Sequence, residues 1–106
     1  MTRRVSLLRW DELPLEKVTE MVARKVVTSA DGTLTQAYYK KGAIVPQHAE
    51  PGDIIVHVLQ GALRVTIEDE DVTIREGDVL IIAGGALRQA ESLDDTFVLV
   101  VGRPQA

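Results

Sequence analysis

Apolar and polar residues alternate along much of this chain with a period of two, the spacing of a strand with one buried and one wet face. Leu63-Arg64-Val65-Thr66-Ile67-Glu68 is the cleanest case. Three segments lack the alternation because nearly every position is apolar: Ile54-Ile55-Val56-His57-Val58-Leu59, Val79-Leu80-Ile81-Ile82 and Phe97-Val98-Leu99-Val100-Val101. Strands of that kind are covered on both faces. Turn signals separate the segments at short intervals, among them Asp31-Gly32, Lys41-Gly42, Pro51-Gly52, Gln60-Gly61, Glu76-Gly77-Asp78, Gly84-Gly85 and Asp94-Asp95. The rhythm predicts an all-β antiparallel sandwich or barrel. Strands are expected over 22–28, 34–40, 43–45, 54–59, 63–68, 72–75, 79–82, 88–91 and 96–101. Residues 13–21 are the single helix-permissive piece, with Pro14 where a first turn tolerates it; a turn or less is expected there. Residues 103–106 are expected to fray.

Composition sharpens this picture. With 106 residues the chain has room for one domain, read as an N-terminal arm (1–20) and a barrel (21–102). Val, Ile and Thr number 14, 7 and 8, and such side chains suit a pleated surface better than a helix. The 12 basic and 16 acidic side chains leave a net charge of −4, without the footprint of a nucleic-acid binder. Cysteine is absent, which excludes disulfides, thiolate catalysis and Cys-based zinc sites. Apolar runs are far shorter than the roughly 20 residues of a bilayer span. The apolar stretch at the N-terminus stops after Leu8, too soon for a signal peptide. A cytoplasmic protein without membrane or nucleic-acid partners is expected.

A single small barrel has one interior, so the outer faces of the wholly apolar strands need other cover. A second copy of the chain is the expected cover, with Ile55, His57 and Leu59 at the contact of a homodimer. The N-terminal segment around Leu7, Leu8 and Trp10 is the alternative.

From Gly42 to Arg88 the chain resembles a small single-domain cupin. The first cupin signature is Gly, five residues, His-x-His, three or four residues, an acid or amide, six residues, Gly. Gly42, His48-Ala49-Glu50, Ile54 and Gly61 stand at those positions. The second is Gly, five residues, Pro-x-Gly, two residues, His, matched by Gly77, Ala83-Gly84-Gly85 and Arg88. The resemblance implies an antiparallel double-stranded β-helix, the jelly roll of the RmlC-like cupins. In metal-holding cupins three His and one Glu or Gln converge in the barrel; of these His48 alone persists, with Glu50, Ile54 and Arg88 at the other three positions. A divalent ion wants three or four N, O or S donors, and Arg88 is a fixed cation. No cofactor is expected, and His48 with Glu50 would be the donors of any metal present. Some small cupins open unsaturated uronate rings and carry an acid on the last strand, at the position of Val100 here, so that resemblance does not extend to this sequence's chemistry.

Alternate residues share a strand face, so His48 and Glu50 are expected to point inward, with Ile54, Val56 and Val58. Arg88 should approach the same spot and pair with Glu50, replacing a metal as the tie across the barrel. Stranding either charge would cost roughly 3–5 kcal/mol. Equally, Arg88 snorkels to solvent at the barrel mouth, the Glu50 loop is merely solvated and His48 has no task. Gln36 and Tyr38 share a face that would line the cavity, or are ordinary packing, with Tyr39 facing the other way. Three functions fit these residues: a module binding a small sugar- or carboxylate-like ligand on Arg88; a metal-free isomerase or lyase in which His48 or Glu50 moves a proton; and a metalloenzyme, of isomerase, lyase or dioxygenase type, that draws donors from outside the usual motif.

Overall fold

The structure, a computed structural model, describes residues 4–103. Ten strands follow a single 3-10 turn at Trp10–Glu12: β1 (Glu16–Lys17), β2 (Val22–Thr28), β3 (Thr33–Tyr39), β4 (Ile44–His48), β5 (Ile54–Gln60), β6 (Ala62–Ile67), β7 (Glu70–Arg75), β8 (Val79–Ile82), β9 (Arg88–Ser92) and β10 (Thr96–Gly102). All pairings are antiparallel. One sheet has the order β1-β2-β3-β10-β5-β8 and the other β4-β9-β6-β7. Their inner faces share one core, in which Val56, Val58, Ile82 and Val98 meet Leu63, Val65 and Ile74. This is the jelly-roll barrel that the strand rhythm and the two glycine-framed motifs predict. Among the described residues no helix is long and apolar enough to cross a membrane.

One stretch takes the lower limit of the sequence expectation, a turn or less, and one strand runs past its expected end. Residues 13–21 form no helical turn; they continue extended past Pro14 into β1, which pairs Glu16 with Arg24 of β2. Arg24 donates to both Glu16 carboxylate oxygens, at 3.1 and 3.3 Å. A sheet edge and an ion pair thus outweigh a weak helical preference. Strand β4 runs through Pro46, beyond the expected stop at Val45. It lies at the edge of its sheet, where a residue without an N–H is tolerated, and its register shifts between Val45 and His48. Of the expected frayed end, residues 104–106 lie outside the described residues.

Two glycines hold the chain where no other residue fits. Gly61 turns β5 into β6 with φ 91°, and a Cβ there would strike the Asp95 carbonyl oxygen. Gly84 joins the loop before β9 to the loop after β4. A Cβ on it would lie 2.7 Å from the Pro51 carbonyl oxygen. Its N–H donates to Asp53 Oδ1 at 2.8 Å, and the N–H of Gly85 donates to the Glu50 carbonyl at 2.7 Å. The segments that carry Glu50 and Arg88 are therefore tied to each other by their backbones.

Candidate functional site

Between the two sheets lies a cavity of about 650 Å³. Its walls come from alternate positions of the strands around it. Thr33, Thr35, Ala37 and Tyr39 line it from β3; Val22, Arg24 and Val26 from β2; Ile54 and Val56 from β5; Val98 and Val100 from β10. His48 and Arg88, partners across β4 and β9, complete it with Glu50 and Arg103. Most of the wall is aliphatic or Thr methyl, with the charged groups as exceptions.

Arg88 is the deepest of these charges. It is 6% exposed, so it does not turn out to bulk water. Its Nη2 lies 3.8 Å from Glu50 Oε1, an ion-pair distance too long for a direct hydrogen bond. Its Nη1 is buried with no hydrogen-bond partner among the described residues. Burial works against its charge and lowers the guanidinium pKa, while Glu50 opposes that shift. His48 is exposed at the rim. Its Nδ1 lies 2.9 Å from the Pro46 carbonyl oxygen, and its Nε2 lies 3.6 Å from the same Glu50 oxygen. A carbonyl only accepts, so Nδ1 donates in this contact.

The structure brings His48, Glu50, Ile54, Arg88 and Val100 to one cavity and leaves two expected lining residues outside it. Gln36 and Tyr38 face away from the barrel interior; Tyr39, expected to face outward, is in the wall instead. Tyr38 stacks on Phe97, ring centroids 4.6 Å apart, and donates to Gln36 Oε1 at 3.0 Å. Parity misled because the cavity side of β3 carries threonines and the outer side carries Leu34 and Tyr38, so polarity does not mark the interior. His57 pairs with Leu99 and Val79 in the outer rows of its sheet.

Arg24, Tyr39 and Arg103 are among the wall residues that escaped the sequence reading. Parity within Val22-Ala23-Arg24-Lys25-Val26 groups Arg24 with the two valines and could have found it. Burial pushes the Tyr39 phenol pKa up, with Arg24 opposing. Arg103 lies against Gly52, where a Cβ would come within 2.8 Å of its Cδ. The cavity thus gathers three arginines against Glu50 in a protein of net charge −4.

The same donor set tests whether a divalent ion suits the cavity. Among the described residues no three His, Cys, Asp or Glu side chains converge. Ile54 offers no lone pair, and the buried Arg88 cation lies near the Glu50 oxygen that an ion would need. These residues do not fit the metal of the motif they replace.

A family model described as a cupin domain matches residues 36–101. The chain belongs to the cupin family. Among solved structures the cupin is similar to KdgF from a Halomonas species, at 25% identity over 96% of each chain with a TM-score of 0.87. An RmlC-like cupin from Shewanella frigidimarina is 14% identical over 98% of this chain and 93% of its own, with a TM-score of 0.85. A predicted oxalate decarboxylase from Thermotoga maritima is 21% identical over 94% and 100%, with a TM-score of 0.80. No curated protein matches the sequence.

Proposed function

We propose that this cupin is a metal-free binding module of the cytoplasm that accepts a small organic carboxylate, sugar acids included, with the charged end on Arg88. The observation that carries the reading is Arg88 Nη1, buried in the wall of an open cavity with no hydrogen-bond partner among the described residues. A buried donor without a partner costs about 1–3 kcal/mol, more when charged. A carboxylate oxygen on Nη1 removes that cost and makes a charge-assisted bond. Glu50 stands near Nη2 and does not occupy Nη1. Arg103 in the same wall offsets the repulsion between Glu50 and an incoming anion. The aliphatic wall suits the carbon skeleton of a small ligand.

Calorimetry and thermal-shift titration with galacturonate and glucuronate, each beside its uncharged parent sugar, test the proposal. The acids are expected to bind and raise the melting temperature, the parent sugars are not, and Arg88→Met should abolish the difference. Equal binding of the neutral sugars, unchanged binding by Arg88→Met, or stoichiometric Mn, Fe, Ni or Zn in the purified protein would overturn it.

One observation favours a second reading, proton transfer in an isomerisation or elimination. His48 Nε2 and a Glu50 carboxylate oxygen lie 3.6 Å apart at an open rim, two groups of the kinds that take up and return a proton in such reactions. Loss of turnover in His48→Ala with ligand binding retained supports this reading; turnover unchanged in that variant removes it.

A further inference from the structure

The cavity that holds Arg88 differs from one end to the other. Its charges gather at one end. His48 and Arg88 are cross-strand partners there, and Glu50 Oε1 lies 3.8 Å from Arg88 Nη2. Arg103 lies against Gly52 of the loop that follows Glu50. Gly102, next to Arg103, pairs with Thr33, which in turn pairs with Thr28. A Cβ on Gly102 would lie 3.2 Å from Ile54 Cγ2, so these residues close on one another.

Away from that end the wall turns apolar. Strand β3 runs seven residues from Thr33 to Tyr39, a span of about 20 Å. Val22, Val26, Ala37 and Val98 line the stretch from the larger sheet, and Val65 and Ala90 from the smaller one. Thr19, Arg24 and Gln89 are exposed at its rim, and Arg24 is engaged by Glu16. Among the described wall residues that leaves the hydroxyls of Thr35 and Tyr39 as polar side-chain groups on this stretch. The whole space is about 650 Å³, of which a carboxylate on Arg88 fills one end.

We propose that the ligand is an amphiphilic monocarboxylate, with its head on Arg88 and an alkyl or arylalkyl tail lying along the apolar stretch towards Tyr39. This rests on Arg88 as the carboxylate anchor and adds what the rest of the molecule must be. The hydroxyls of a sugar ring leave water at a cost unless each finds a partner, and an aliphatic wall with two hydroxyls supplies few. An alkyl carbon gains on the same transfer. A sugar acid is therefore held by its carboxylate alone, whereas an alkanoate is held along its length.

Isothermal titration of the full chain with butanoate, hexanoate, octanoate, octanol and galacturonate reads the difference. The dissociation constant is expected to fall about fourfold per buried methylene from butanoate to octanoate. Octanoate should bind at least about tenfold more tightly than galacturonate and more tightly than octanol. Val26 is 39% exposed, so Val26→Asn spares the core; it should weaken octanoate severalfold and butanoate less. Affinity that does not change with chain length, galacturonate binding as tightly as octanoate, or a Val26→Asn variant that binds octanoate like the wild type overturns the tail and leaves the Arg88 anchor standing. Octanol binding as tightly as octanoate, or no binding by any of the acids, overturns the anchor itself.

Discussion

Arg88 and Glu50 face each other across the cavity at 3.8 Å, and the guanidinium is far more deeply buried than the carboxylate that answers it. Nη2 has the Glu50 carboxylate at that distance, while Nη1 has no hydrogen-bond partner among the described residues. Such a group costs stability in the ligand-free fold. Arg88→Met alone removes the stranded donor but also the cation beside the Glu50 carboxylate; Arg88→Met/Glu50→Gln, which removes both charges and keeps most of the volume, is expected to be more stable than the wild type by about 1–3 kcal/mol. Urea denaturation checks this. A variant that gains stability as it loses carboxylate affinity marks Arg88 as kept for its ligand.

The distance between those two groups is held from the backbone. Asp53 accepts from the Gly84 N–H on one side of the joined loops, and Gly85 donates to the Glu50 carbonyl on the other. Asp53→Ala breaks the first tie and is expected to cost about 1 kcal/mol. It should also weaken carboxylate binding severalfold without touching the ligand. Asp53→Asn keeps an acceptor oxygen and should recover most of both losses. Thermal melts and titrations on the pair read the two effects separately.

The legibility of this protein in its sequence follows where polarity and burial agree. Leu63, Val65 and Arg64 divide cleanly between core and water, so β6 could be read directly. On β3 the rule inverts: Thr33 and Thr35 line the cavity while Leu34 is on the outer face. A cavity that holds polar groups and a sheet face left apolar make inside and outside equally mixed. Strand β5 gives the complementary lesson: it is apolar on both sides, yet Ile55 on its outer side is 40% exposed, so its composition did not say which side is the interior. His48, Glu50, Ile54 and Arg88 were found by motif spacing, which is insensitive to polarity. Arg24 and Arg103 lie outside those motifs; strand parity with Val22 and Val26 offered a route to Arg24, and nothing in its spacing linked Arg103 to the cavity.

Tyr39 gives the fold a pH dependence on the alkaline side. Burial raises its phenol above the ordinary value of 10.0, so the unfolded chain loses this proton first. The folded state then holds more protons, and stability falls as pH rises. The contribution is intact below pH 10.0 and is lost as pH climbs towards the folded value. Tyr39→Phe lacks the ionisation. Its stability relative to wild type is expected to improve above pH 10, by up to about 1.4 kcal/mol per pH unit while the folded phenol stays protonated. Denaturation of both proteins at pH 8 and 11 gives the comparison, and other titrating groups cancel in the difference.

The positions that would hold a metal are occupied by the wrong chemistry, though the frame around them is intact. His48 and Arg88 are cross-strand partners, and Glu50 and Ile54 share their cavity. Replacing Glu50 with His, Ile54 with Gln and Arg88 with His removes the buried cation and supplies four donors of the kinds a divalent transition ion accepts. The triple variant is expected to bind Mn, Ni or Zn with one ion per chain and to melt at a higher temperature when loaded, since an ion held by the folded state alone stabilises it by mass action. Arg88→His by itself should bind far more weakly, because two imidazoles and one carboxylate leave the Ile54 position without a donor. Metal analysis after gel filtration, with melts run with and without chelator, separates these outcomes. A triple variant that folds and takes up no ion would mean that the four side chains do not converge.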